Sequence, residues 1–226
     1  LARLPPLDVP AAARASAHDD RSTVGKDVAR SLWAAAKRRG WSRETRAKRR
    51  RCLARVLDAT FDEATHYYQG FHDVAARFLE ETGFDPPGER RAVALCRAVA
   101  RGPLRDATRA DFGDVAVSLK LLVALVWCAD RELGEALFRP HDDDWALLLE
   151  PLWALPWVVS WFAHDVDDDA ALRRLWDRLI SRPPCFSLYL AAALVARHRD
   201  ALLATAADAD HGAPVHAALA RLPRAK

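Results

Sequence analysis

The sequence predicts an all-α fold, and three observations carry that prediction. Glycine is scarce, at 9 of 226 residues, while Ala, Leu and Arg, all strong helix formers, dominate the composition. No long stretch alternates apolar with polar residues, as a half-buried strand would. Apolar residues instead recur at helical spacing between breaks marked by Pro and Gly. The length allows one large domain or two small ones with ample area for a core. The organisation read from these features is an irregular lead-in over residues 1–20 and a single multi-helix domain over 21–226.

Each element has a local reason. Pro5, Pro6, Pro10 and an Ala/Asp-rich run make the lead-in irregular. Ser22 or Thr23 can cap a first helix whose apolar stripe is Val24, Val28, Leu32 and Ala35. At 3.6 residues per turn, Asp27 and Arg30 lie about 60° apart on the opposite, outward face. Ser42 caps a second helix that carries Leu53, Val56, Leu57 and Thr60/Phe61 inward. A third helix begins near Tyr67–Gly70, packs Val74, Phe78 and Leu79, and ends at Gly83. Pro86, Pro87 and Gly88 then break the chain, as do Gly102 and Pro103, with a short helix carrying Val93, Leu95, Cys96 and Val99 between them. Asp111 starts a long helix through Glu132, with a broad apolar face from Val115 to Val126. A Trp-rich segment, Trp145 to Ala163, follows. Leu172, Leu175, Trp176, Leu179 and Ile180 then make the clearest amphipathic helix, capped by acidic residues and stopped by Pro183 and Pro184. Tyr189 to His198 is a further core helix and 214–222 a weak terminal one, for about nine helices in all.

Composition excludes several classes. The net charge is only +3, and five of the 34 basic residues are Lys, so the Arg enrichment does not by itself predict a nucleic-acid partner. Arg38, Arg39, Arg43, Arg46, Lys48, Arg49, Arg50 and Arg51 form a basic run that suits a solvated helix face, an anionic membrane or an acidic protein surface. No aromatic platform interleaves with it in sequence, which argues against single-strand binding. Cys52, Cys96, Cys128 and Cys185 are widely spaced in apolar helical patterns, so buried free thiols are expected rather than disulfides or a zinc site. Trp145–Ala163 is 19 residues broken only by Glu150, Pro151 and Pro156, with acidic flanks and no basic anchor, and reads as a core segment rather than a membrane span. The chain opens on Leu1 without a secretory signal pattern and reads as part of a longer protein.

Two short stretches carry the chemistry. Val24-Gly-Lys-Asp-Val-Ala-Arg30 presents an arginine, and His66-Tyr-Tyr-Gln-Gly-Phe-His-Asp73 presents a glutamine, Gln69, 39 positions later. Phosphoryl transfer from GTP needs a cation against the charge that builds on the γ-phosphate and an amide that orients the attacking water. Taken alone, Gln69 reads more readily as a capping amide at a helix start. Gly70 beside it removes a Cβ and permits close approach of another backbone or a phosphate. Together the stretches resemble the signatures of the TBC domain family, the GTPase-activating module of Rab-family small GTPases. Those signatures run I-x-x-D-x-x-R and Y-x-Q-G, matched by Val24, Asp27 and Arg30 and by Tyr67, Gln69 and Gly70. The family's third signature sits on a Trp-Phe-rich helix, where Ser160 to Val166 falls, and Arg173 to Leu179 resembles its R-x-W-D-x-F. The likeness covers roughly Val24 to Arg199, and Y-Y-Q-G-F-H-D with W-F-A-H is closest to the branch anchored to the endoplasmic reticulum by a hydrophobic C-terminal segment.

The resemblance implies a TBC-type domain over 21–226 that accelerates GTP hydrolysis on a Rab-family GTPase in vesicle trafficking. It implies Arg30 as arginine finger and Gln69 as glutamine finger, both acting in trans, with GTP and Mg²⁺ carried by the partner and no cofactor of its own. Asp27, Tyr67, Gly70 and Asp73 are implied as supports, and Trp161 and Phe162 as residues facing the GTPase. The expected location is cytoplasmic, at the cytosolic face of the endoplasmic reticulum if the whole protein is anchored, with membrane contact only through segments absent from this chain and no nucleic acid. A catalytically silent Rab-binding scaffold is the alternative. His72-Asp73, His141-Asp142 and His164-Asp165 also suggest a metal phosphohydrolase of HD type, but no isolated upstream His stands where its metal would need one.

Overall fold

A computed structural model describes residues 18–138, 146–210 and 212–224. Helix is their regular structure: no strand occurs among the described residues, where an isolated bridge joins Asp62 and Thr65. The chain divides into two compact units, Leu1–Ala110 and Asp111–Lys226.

The first unit contains α1 (His18–Arg30), α2 (Trp33–Arg38), α3 (Arg43–Thr60), α4 (Phe71–Thr82) and α5 (Pro86–Arg101). α4 packs on α3 and α5, and α3 also packs on α5 and α1. Leu53, Phe71, Val74, Leu79, Ala92 and Cys96 are fully buried where these helices meet. As expected, Ser42 caps α3 by accepting the Thr45 amide at 3.1 Å, and α4 ends at Gly83. Three expectations need correction. α1 already begins at His18, so Ser22 and Thr23 lie inside it, and the part of the lead-in before residue 18 lies outside the described residues. Val24, Val28, Leu32 and Ala35 are all buried but do not share one helix, because Leu32 takes φ 64° and restarts the chain as α2. Pro86 and Pro87 open α5 rather than break the chain: a proline needs no amide partner in a first turn, and Asp85 accepts the Gly88 amide at 2.8 Å.

The second unit contains α6 (Gly113–Ala129), α7 (Arg131–Leu137), α8 (Ala146–Leu149), α9 (Leu155–Val159), α10 (Asp169–Ser181), α11 (Phe186–Arg197), α12 (Arg199–Asp208) and α13 (Gly212–Arg221), with 3₁₀ turns at Leu152–Ala154 and Leu222–Arg224. The helix expected over 111–132 divides in two. Asp130 is extended and its carboxylate accepts the Leu133 amide at 3.0 Å, so it ends α6 and caps α7. The two helices then pack closely: a Cβ on Gly134 would meet the Trp127 ring at 2.7 Å. Arg199 fastens α12 to this junction through Asp130, at 2.7 Å, and through Glu132. The sequence pattern missed α12, whose Ala-rich face carries little periodic contrast, although Leu202 and Ala206 are buried. α10 agrees with expectation except at Ile180, which is 59% exposed.

Among the described residues no helix is long and apolar enough to cross a membrane. The described part of the Trp-rich segment folds as short helices that bury Trp153, Trp157, Trp161 and Phe162, while Trp145, His141 and the acidic run 142–144 lie outside the described residues. Ser160 to Val166 is not helical, contrary to expectation. α9 is only five residues long, the Ser160 hydroxyl donates to the Pro156 carbonyl at 2.6 Å, and Trp161 and Phe162 both have positive φ, 50° and 62°. Cys52 and Cys96 are buried as expected, but Cys128 and Cys185 are exposed.

Candidate functional site

Arg30 is the last residue of α1, and its position is fixed from two sides. Its Nη2 donates to Asp27 Oδ1 at 2.5 Å, one turn back, while 55% of its side-chain surface stays exposed. Below it, Arg46 of α3 donates from Nε and Nη2 to the Ser31 carbonyl at 3.1 and 2.6 Å, and from Nη2 to Ala29 O at 3.5 Å. The carbonyls on either side of Arg30 thus receive donors at the point where α1 runs out of its own amides.

Asp27 corrects the helical-wheel reading. It shares the arc of Arg30 but is only 2% exposed, because the loop before α4 covers it. Its Oδ2 accepts the Tyr67 hydroxyl at 2.6 Å. A buried carboxylate is costly unless charge-paired and hydrogen-bonded, and Arg30 and Tyr67 supply both. Burial, followed by the bond to Asp27, pushes the Tyr67 phenol far above its ordinary range, so it remains a neutral donor.

The Gln69 turn is built just beyond. The Phe71 amide donates to Tyr68 O at 3.2 Å, closing a turn with Gln69 and Gly70 at its corners. Gly70 has φ 118°, a left-handed value that favours a residue without a Cβ, and its carbonyl accepts the Asp73 amide at 3.1 Å as α4 begins. Tyr68 and Phe71 point inward, each packing edge-on, and Phe61 meets Phe71 at 4.9 Å and Tyr67 at 5.6 Å between ring centres. Gln69 is left exposed at the corner. The loop before it is anchored independently: the His66 amide donates to Thr108 O at 2.7 Å, and the Thr108 hydroxyl to Ala100 O at 2.8 Å.

His72, which sequence reasoning weighed only as half of a His-Asp dipeptide, lies inside this cluster. Its Nδ1 is 3.1 Å from the Tyr67 hydroxyl and 3.4 Å from Asp27 Oδ2, and its Nε2 is 3.4 Å from Asp73 Oδ1. Among the described residues no group of three or more His, Cys, Asp or Glu could hold a metal ion. Trp161 and Phe162 were expected to face a partner, but they are 1% and 4% exposed and belong to the core of the second unit. There the Trp176 indole donates to Trp161 O at 2.8 Å.

The basic run also differs from a simple charged surface. Arg46 is buried and its guanidinium lies 3.5 Å from the centre of the Trp33 ring. Arg49 stacks at 3.5 Å on Trp41, and Arg38, Arg39 and Arg77 all approach the Glu80 carboxylate at 3.3–3.5 Å. Burial and the neighbouring Arg50 lower the Arg46 pKa from its ordinary value.

Arg30 closes one helix with its side chain outward, Gln69 stands outward at a glycine turn, and the buried Asp27–Tyr67 pair joins the two elements. The chain belongs to the Rab-GTPase-TBC domain family, whose sequence profile matches residues 11–203. It is similar to the GTPase-activating protein gyp10 of Schizosaccharomyces pombe, 29% identical over 178 residues, or 78% of this chain and 44% of that protein. It is similar also to TBC1 domain family member 20 of Homo sapiens, 28% identical over 159 residues, or 70% of this chain and 36% of that protein. The Bos taurus protein of the same name matches over the same shares. The chain spans less than half the length of these relatives.

Proposed function

We propose that this chain is a GTPase-activating domain for a Rab-family small GTPase and that it supplies Arg30 and Gln69 in trans. The observation that carries the reading is that both side chains reach solvent from elements tied together by the 2.6 Å bond between Tyr67 and Asp27. The GTPase brings GTP and Mg²⁺. The Arg30 guanidinium lies against the β/γ-phosphate oxygens, where a permanent charge and several N–H donors offset the negative charge of the transition state. The Gln69 amide orients the hydrolytic water in place of the GTPase's own switch glutamine. Asp27 restrains the guanidinium, and Tyr67, Gly70 and Asp73 shape the turn that presents Gln69.

Single-turnover GTP hydrolysis on a panel of Rab GTPases, with and without the domain, tests this. Acceleration of at least one member is expected. Binding without acceleration indicates a silent scaffold, and metal-dependent hydrolysis of free nucleotide indicates a phosphohydrolase.

A further inference from the structure

We propose that His72 is a positioning residue that holds the Gln69 turn at a set distance from the carboxylate partner of Arg30. The proposal rests on the two-residue reading above and adds the part that couples the two residues. His72 is 6% exposed, on the first turn of α4. One ring atom meets three groups: Nδ1 is 3.1 Å from Tyr67 Oη, 3.4 Å from Asp27 Oδ2 and 3.4 Å from the Gly70 amide nitrogen. The first is the phenol at the start of the turn, the second the carboxylate that holds Arg30, and the third the amide directly after Gln69.

Both neutral tautomers keep the ring in this network. Tyr67 donates its hydroxyl hydrogen bond to Asp27, so towards His72 its Oη acts as an acceptor. With hydrogen on Nδ1, the ring donates to Tyr67 Oη. With hydrogen on Nε2, Nδ1 accepts the Gly70 amide and Nε2–H faces Asp73, 3.4 Å away. The role is therefore one of distance. A hydrocarbon side chain could fill the space but could neither donate to Tyr67, which holds Asp27, nor accept the Gly70 amide. A misplacement of about 1 Å between reacting groups costs on the order of 10²-fold in rate, which sets the expected effect.

The test compares His72→Asn, His72→Gln and His72→Leu on the GTPase that the wild-type domain accelerates most. An Asn places a polar atom near the position of Nδ1, whereas a Gln reaches toward that of Nε2. His72→Asn should retain most of the maximal rate. His72→Gln and His72→Leu should lose on the order of 10²-fold of it, with Tm and the half-saturating domain concentration unchanged. Full rate in His72→Gln, equal loss in Asn and Gln, or a rate that falls only in step with Tm would make His72 a packing residue and overturn the proposal. If His72→Leu does not fold, the Asn–Gln comparison still decides. Arg30→Ala, run in parallel, separates the two levels: if it keeps full activation the two-residue reading fails, and if it loses activation while His72→Gln does not, only the role of His72 falls.

Discussion

Arg46 closes the turn that carries Arg30: its guanidinium donates twice to the Ser31 carbonyl, at 3.1 and 2.6 Å, from a position 8% exposed. A residue in the middle of a charged run thus acts as the cap of a neighbouring helix. Removing it leaves a buried carbonyl without its donor, which costs about 1–3 kcal/mol. Arg46→Leu is therefore expected to lower the unfolding free energy by about that amount, seen as a lower urea midpoint at unchanged m-value. An unchanged midpoint would show that the Ser31 carbonyl is satisfied without Arg46.

On the proposed mechanism, loss of Arg30 costs more in rate than in fold. An arginine finger contributes about 10³–10⁵ in rate, or roughly 4–7 kcal/mol off the barrier. Arg30→Ala should lose most activation; it takes the guanidinium from the buried Asp27, which keeps the Tyr67 hydroxyl, so Tm falls while helicity by circular dichroism below Tm stays near native. Arg30→Lys should recover little, because an ammonium lacks the fork. Near-normal turnover by Arg30→Ala would remove the mechanism.

The glutamine is tested through the partner. If Gln69 replaces the switch glutamine, a GTPase with that glutamine changed to Leu should still respond to this domain, whereas Gln69→Ala should fail even on the unmutated GTPase. A switch mutant that ignores the domain while the wild type responds would reduce Gln69 to a turn residue.

Acid stability has a specific contributor in Arg55 and Glu89, paired at 2.6 and 3.0 Å between α3 and α5. The bonds from Arg55 hold the Glu89 carboxyl below its ordinary value. A carboxyl whose folded pKa is depressed adds stability above its unfolded pKa, about 4.3, and loses it as pH falls through the folded value. The stability gap between wild type and Glu89→Gln should therefore be full well above the unfolded carboxyl pKa and shrink as pH falls below it. A gap independent of pH would show that the pair contributes no linkage.

Thiol chemistry should separate the four cysteines. Burial pushes the Cys96 thiol up to about 12 and raises that of Cys52, whereas Cys128 and Cys185 are exposed. Iodoacetamide should label Cys128 and Cys185 in the folded chain and reach the other two only after unfolding, as peptide mass spectrometry would report. Early labelling of Cys96 would contradict the packing of α5.

Much of this was legible in the sequence because it depends on local chemistry. Ser42 as a cap, Gly83 as a stop and the inward set Leu53, Val56 and Leu57 follow from short-range rules, and the two signatures located Arg30 and the Gln69 turn. The rest depends on partners distant in sequence. Asp27 reads as outward until Tyr67, 40 residues away, covers it. Arg46 reads as surface charge until Ser31, 15 residues back, supplies its acceptor. His72 has no helical-wheel signature that separates a network nitrogen from a filler. Trp161 and Phe162 carried a signal for aromatic content but none for the left-handed backbone that turns both inward.

On the proposed mechanism, the 2.5 Å bond from Arg30 to a buried Asp27 also shapes the encounter with the GTPase. A free arginine side chain holds about 2 kcal/mol of rotamer entropy, lost when it is ordered. Part of that loss here accompanies folding, before any GTPase arrives. The carboxylate does not have to leave for the phosphates to bind, because Asp27 Oδ1 takes a hydrogen from Nη2 and a guanidinium has five N–H groups. The remaining edge can point at the nucleotide while the first stays anchored, so the same fork serves both tether and reach.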